Sequence, residues 1–173
     1  IADVVNYINW RDLKNVILVG HSYGGCVITG VADRLPKRIS HIVYLDAAVM
    51  KHGESIHADH FTLEMAKHIQ ESVDRDGDGW LIVPEFLRDP APATMRKHTF
   101  KSYTDRIALK GDYIKSGTVI VATEMPGTFA VLREKAERRA KERSWMFHKV
   151  EGPHPLQESS PSKEKIAEIL LKI

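Results

Sequence analysis

This 173-residue sequence predicts an α/β protein with a parallel sheet, flanking helices and an inserted helical cap. Three observations predict it. Four short runs rich in β-branched and aromatic residues are separated by helical or irregular sequence, the pattern of strands joined by crossover helices. One run passes through a glycine-rich turn straight into a helical stretch, and between Met50 and Asp112 the strand signal disappears.

The elements follow in order. Ala2 to Leu13 carries Val4, Val5, Ile8 and Leu13 at helical spacing. Val16 to Val19 is a continuous apolar run, as expected of a strand buried on both faces. Past Gly20-His21-Ser22-Tyr23-Gly24-Gly25, the mostly apolar Cys26 to Ala32 fits a helix against the sheet and closes near Pro36. Further strands are predicted at His41–Leu45, Thr118–Ala122 and Trp145–Val150. Helices are expected at Phe61–Val73 and Ala93–Tyr103, and Ser162–Ile173 places Ile166, Ile169, Leu170 and Ile173 on one face as a closing helix. The division is therefore residues 1–50 and 113–173 as core, with 51–112 inserted as a cap.

Composition narrows the function. With 43% hydrophobic residues the chain can bury one domain core. Lys plus Arg number 25 against 23 Asp plus Glu, and the basic residues are scattered, so nucleic acid is not the expected partner. The densest charged stretch, Arg133 to Arg143, alternates at helical spacing and predicts a solvated helix face. The single cysteine, Cys26, excludes an internal disulfide, no apolar run is long enough to span a bilayer, and residues 1–10 lack the form of a secretory signal. A cytoplasmic protein is expected. The opening residues look like a helix interior without an initiating Met, which predicts further residues upstream.

The chemistry concentrates at Ser22. Gly20-x-Ser22-x-Gly24 follows a predicted strand and opens a predicted helix, the setting in which a serine is held on a strained turn with its hydroxyl exposed. Phosphate-binding fingerprints of the Gly-x-Gly-x-x-Gly and Gly-Lys-Ser/Thr kinds are absent. A serine hydroxyl needs an adjacent base, and the order Ser, acid, His selects His154 from nine histidines. It sits in Glu151-Gly152-Pro153-His154-Pro155, after the fourth strand and before the closing helix. His21, next to the nucleophile, is expected to shape the turn, its side chain pointing away from that of Ser22.

Val19 to Asp33, Ile42-Val43-Tyr44-Leu45-Asp46-Ala47 and the His154 loop together resemble the α/β-hydrolase superfamily, near small bacterial esterases. The resemblance implies a Ser-His-acid triad, no cofactor, and an oxyanion hole partly made by the Tyr23 N–H. Two carboxylates compete for the acid. The commoner position, after the penultimate strand, offers only Glu124; Asp46, at the end of the second strand, is similar in place to the acid of haloalkane dehalogenases and is preferred. Compared with the family, the chain starts one helix before the nucleophile strand and holds about half a sheet. A second chain or an N-terminal segment is therefore expected to complete the sheet and donate the other oxyanion hydrogen bond, a group whose removal costs about two to three orders of magnitude in rate.

Asp74-Arg75-Asp76-Gly77-Asp78-Gly79-Trp80-Leu81-Ile82-Val83-Pro84-Glu85 matches the twelve-residue calcium loop of an EF-hand. Pro84, Pro90 and Pro92 oppose an exiting helix and no second loop is present, so no metal is assigned; calcium held by Asp74, Asp76, Asp78 and Glu85 would be structural for the cap. His52, Glu54, His57, Asp59 and His60 match no common metal spacing and are read as a cap loop. The expected function is hydrolysis of a small carboxylic ester through an acyl-enzyme. The alternatives are an acid/base enzyme like the hydroxynitrile lyases and a noncatalytic calcium-binding protein on the same scaffold.

Overall fold

The computed structural model describes residues 1–81, 98–111, 116–124, 127–158 and 160–173. Along the chain run α1 (Ala2–Trp10), β1 (Val16–His21), α2 (Gly24–Arg34), β2 (Ile39–Leu45), α3 (Ile56–Asp59), α4 (Leu63–Ser72), β3 (Trp80–Leu81), β4 (His98–Thr99), α5 (Lys101–Thr104), β5 (Gly117–Ala122), α6 (Ala130–Glu142), β6 (Met146–Val150) and α7 (Ser162–Leu170). The main sheet has the order β1-β2-β5-β6, every pairing parallel. Parallel strands need crossovers, and α2 and α6 supply two of them on one face. There Ile28 and Ala32 of α2, and Ala136 and Ala140 of α6, pack with Ile42, Tyr44, Val119 and Val121. The alternate residues of the same strands, Val43, Leu45 and Ile120, point to the other face and meet Ile166 and Ile169 of α7. The valine, leucine and isoleucine side chains covered in this way contribute roughly 1.5–3 kcal/mol each.

All four strands therefore deliver their carboxyl ends to one edge, where the loops after β1, β2, β5 and β6 converge. At this edge β1 meets α2 closely. A methyl built on Gly25 would lie 2.3 Å from the Ala48 carbonyl oxygen, and one on Gly20 would lie 2.7 Å from that of Gly24, whereas Gly24 itself has open space around it. The turn thus depends on Gly20 and Gly25, and Gly24 is not the tight position. Gly25→Ala is expected to destabilise the protein by about 1–3 kcal/mol by overpacking, while Gly24→Ala leaves the melting temperature unchanged or raised; thermal denaturation of the two variants checks this.

Among the described residues no strand pairs with the outer edge of β1, and Ile17 and Val19 on it are 47% and 46% exposed. No helix among the described residues is long and apolar enough to cross a membrane.

The segment between β2 and β5 departs from the expected cap of loops and helices by containing strand. Its helices start on side-chain caps, the Ser55 hydroxyl accepting from the Ala58 amide at α3 and the Thr62 hydroxyl from the Met65 amide at α4. But β3 and β4 form an antiparallel ribbon, Trp80 opposite Thr99 and Leu81 opposite His98. Of the helix expected at Ala93–Tyr103, residues 93–97 lie outside the described residues, 98–99 are strand, and only Lys101–Thr104 is helical. Trp80 is 40% exposed and Leu63 92%, so neither forms part of a core there, whereas Met65 and Phe100 are buried; Phe86 lies outside the described residues.

A second departure concerns Arg133 to Arg143, whose face is not wholly solvated. Arg139, 2% exposed, turns inward from α6 to the Glu54 carboxylate and the Val49 carbonyl, and Lys135 reaches the same carboxylate at 3.3 Å. His60 Nε2–H donates to the other Glu54 oxygen at 3.2 Å, as does the Lys51 amide at 2.8 Å. Burial alone would raise the Glu54 pKa, but these hydrogen bonds and the Arg139 charge outweigh it and hold the carboxyl well below the usual carboxylate range. A carboxylate depressed in the folded state stabilises fully above its unfolded pKa, about 4.3, and loses that contribution as pH falls below it. The melting-temperature gap between the wild type and Glu54→Gln is therefore expected to be widest near neutral pH and to narrow as pH drops below about 4. Melts across that range measure it.

Candidate active site

Ser22 follows β1 directly, with φ of 55°, and Asp46 follows β2 directly, with φ of 43°. Left-handed backbone at two non-glycine residues is strained, and the packed turns around them hold it. The Ser22 amide donates to the Leu45 carbonyl at 3.3 Å, and the Ser22 carbonyl accepts from Gly25 at 3.1 Å and from Ala48 at 3.3 Å. Adjacent parallel strands thus present a serine and a carboxylate at the same sheet edge. The third group arrives from β6, through a loop turned at Gly152 (φ 139°) and held by the Glu124 amide on the Gly152 carbonyl, 3.0 Å, and the Ser162 hydroxyl on the Glu151 carbonyl, 2.7 Å.

These turns bring Ser22, His154 and Asp46 into line. The Ser22 hydroxyl donates to His154 Nε2 at 2.8 Å, and His154 Nδ1–H donates to Asp46 Oδ2 at 2.6 Å. A carboxylate only accepts, so Asp46 assigns the imidazole proton to Nδ1 and leaves the Nε2 lone pair facing the hydroxyl. Asp46 is fully buried, and its Oδ1 accepts from the Ala122 amide at 3.0 Å. Glu124, the competing carboxylate, lies two residues beyond the end of β5 and is exposed.

Tyr23 stands at the N-terminus of α2, where backbone N–H groups and the helix dipole favour developing negative charge. Its ring faces the segment between β2 and β5: it lies edge-on to His98 at 4.6 Å and stacks on Tyr103 at 4.9 Å, and its hydroxyl donates to the Ser102 carbonyl at 3.4 Å. Phe61 stacks on Tyr103 and meets Phe129 edge-on, and Phe129 lies parallel to the His154 imidazole at 6.1 Å. An aromatic wall thus runs from the residue after Ser22 to His154. Sequence reasoning missed His98 and Phe129 and placed Phe61 and Tyr103 only at the ends of expected helices. None of them sits in a motif. Burial, followed by the neighbouring Tyr23, pushes the Tyr103 phenol up to about 12, and burial also raises Tyr23. Both remain neutral phenols. The Cys26 thiol, also raised by burial, is no competing nucleophile.

His21 turns away from Ser22, its Nε2–H donating to the His154 carbonyl at 3.0 Å, and the two imidazoles lie 4.5 Å apart.

The calcium-like string is not an open loop at its start. Val73–Gly77 is a turn of π-helix continuing α4, with the Gln70 amide donating to Asp74, and Asp78 follows in left-handed backbone. Glu85 lies outside the described residues. Among the described residues no group of three or more His, Cys, Asp or Glu side chains is arranged to hold a metal ion.

Known proteins share the sequence and the fold to measurable extents. The profile described as the alpha/beta hydrolase family matches residues 1–164. A stretch of 58 residues, 34% of this chain, is 59% identical to a carbendazim hydrolyzing esterase of Nocardioides sp. (strain SG-4G); it spans 24% of that relative, about a quarter of its length. An extracellular alpha/beta-hydrolase from a Paenibacillus species superimposes with a TM-score of 0.74 at 26% identity, over 98% of this chain and 76% of its own. A pyrethroid hydrolase from Sphingobium faniae JZ-2 shares the fold, with a TM-score of 0.66 at 20% identity over 98% of this chain and 74% of its own.

Proposed function

Because this chain belongs to the alpha/beta hydrolase family, we propose that it is a carboxylic ester hydrolase in which Ser22, His154 and Asp46 form the catalytic triad. What carries the reading is the pair of hydrogen bonds, 2.8 Å and 2.6 Å, running from the Ser22 hydroxyl through His154 to buried Asp46. His154 takes the Ser22 proton as Oγ attacks the acyl carbon, and Asp46 stabilises the imidazolium that results. The Tyr23 N–H holds the oxyanion. His154 then returns its proton to the leaving alcohol, and water, activated by the same imidazole, hydrolyses the acyl-enzyme.

Residues 51–112 serve as a cap over a core of 1–50 and 113–173, and the aromatic wall of Tyr23, Tyr103, Phe61 and Phe129 lines the approach to Ser22. The substrate is a small ester; 59% identity to an esterase over 58 residues supports that class. Additional polypeptide pairs with the outer edge of β1, covers Ile17 and Val19, and supplies the second oxyanion donor; the exposure of those two side chains supports it. A nitrophenyl ester tests the reading. A pre-steady-state burst of nitrophenolate, together with a fluorophosphonate adduct on Ser22, is expected, and turnover without either sign of a covalent intermediate would contradict it.

A further inference from the structure

The imidazole of His21 takes no part in the relay just described, yet it touches the one group that moves the proton. Its Nε2–H donates to the backbone carbonyl of His154 at 3.0 Å, and the Leu156 amide donates to the same oxygen at 2.9 Å. His21 is the last residue of β1, so it ties the Gly152-Pro153-His154-Pro155 segment to the strand that leads directly into Ser22. The link spans 133 residues of chain. The same side chain lies ring to ring with His154 at 4.5 Å, tilted by 35°.

We propose that His21 is a positioning residue for His154: as a neutral imidazole it clamps the backbone of the base opposite Ser22, and on taking up a proton it opposes the charge His154 must acquire. The proposal rests on the triad reading above. The physical argument has two parts. A base displaced by about 1 Å loses about a hundredfold in rate, and the clamp acts on the carbonyl of the residue that carries the imidazole. The electrostatic part follows from the ring separation, because a charged His21 would face the imidazolium formed when Ser22 attacks, and like charges at this range disfavour each other.

The groups acting on the His21 charge are His154 and Glu158 in the loop after β6 and Asp46 after β2. Burial first, and then His154, lower the His21 pKa below the ordinary imidazole value, against the backbone hydrogen bond to His154 and the two carboxylates, which raise it. His21 is thus neutral near pH 7 and charges on the acid side, where the switch operates.

The test follows the second-order rate of Ser22 modification by a fluorophosphonate, since this reads the base without requiring ester turnover. The Ser22 oxygen forms a bond to phosphorus, fluoride leaves, and the proton passes to His154. On the acid side, the logarithm of the wild-type rate is expected to fall over part of the range with a slope steeper than one, because the proton on His21 adds to the loss. His21→Gln keeps an N–H donor but cannot charge; it should retain a rate close to wild type at pH 7.5 and show a slope of about one. His21→Ala, without the clamp, should lose about tenfold to a hundredfold at every pH. Superimposable pH profiles for wild type and His21→Gln, or full reactivity in His21→Ala, would overturn the role of His21 while leaving the triad intact. Absence of the Ser22 adduct at any pH in the wild type would instead overturn the triad reading itself.

Discussion

Asp46→Asn is expected to lower kcat on a nitrophenyl ester by about four orders of magnitude. The size follows from how the carboxylate is held. Asp46 accepts two hydrogen bonds, one from the fixed Ala122 amide and one from His154 Nδ1–H. An asparagine has one oxygen for these two donors. With that oxygen kept on the backbone amide, its NH2 faces His154 and favours the tautomer with the proton on Nε2, which cannot accept from Ser22. The variant should fold, because the replacement is isosteric. Glu124→Gln, at an exposed carboxyl, should leave kcat within about twofold, as surface substitutions away from such networks do. Steady-state kinetics on both proteins decide which carboxylate serves His154, and equal losses would contradict the assignment of Asp46.

Ser22→Ala is expected to remove about six orders of magnitude from kcat, leaving only what binding and the oxyanion donor supply. Its stability effect is informative too. Alanine at φ 55° keeps the backbone strain, whereas Ser22→Gly releases it and should stabilise the fold by about 1 kcal/mol. A higher melting temperature in the glycine variant than in the alanine variant, with both inactive, would show that the turn stores strain to present the hydroxyl.

Much of this site is legible in the residues themselves. The strands at His41 and Thr118 announce themselves because both their faces are buried, which demands apolar runs; those at Val16 and Trp145 carry the same signal although Ile17, Val19 and Met146 are exposed, and the structure only lengthens or trims the four by one or two residues. The place of Ser22 is legible because a serine between a strand and a helix needs small neighbours. The acid is less so: Asp46 and Glu124 both follow strands of one sheet, and sequence carries no sign that Glu124 is exposed while the Ala122 amide waits for Asp46. The ribbon of β3 and β4 is hidden because two-residue strands are too short to show a period, and His98 and Thr99 are extended only through partners at Trp80 and Leu81. Arg139 is hidden for a related reason. Charges alternating along α6 look solvated, and the carboxylate that draws one of them inside sits 85 residues away.

The distance along the chain between the three aligned groups has a temporal consequence. His154 lies 132 residues beyond Ser22 and 108 beyond Asp46. During synthesis at about 5–20 residues per second, the serine and its carboxylate therefore leave the ribosome about 5–26 s before their imidazole exists. On the triad reading Ser22 lacks its base in that interval. The last contact forms when the loop carrying His154 docks on His21 of β1, so recovery of fluorophosphonate labelling after dilution from denaturant is expected to time that docking.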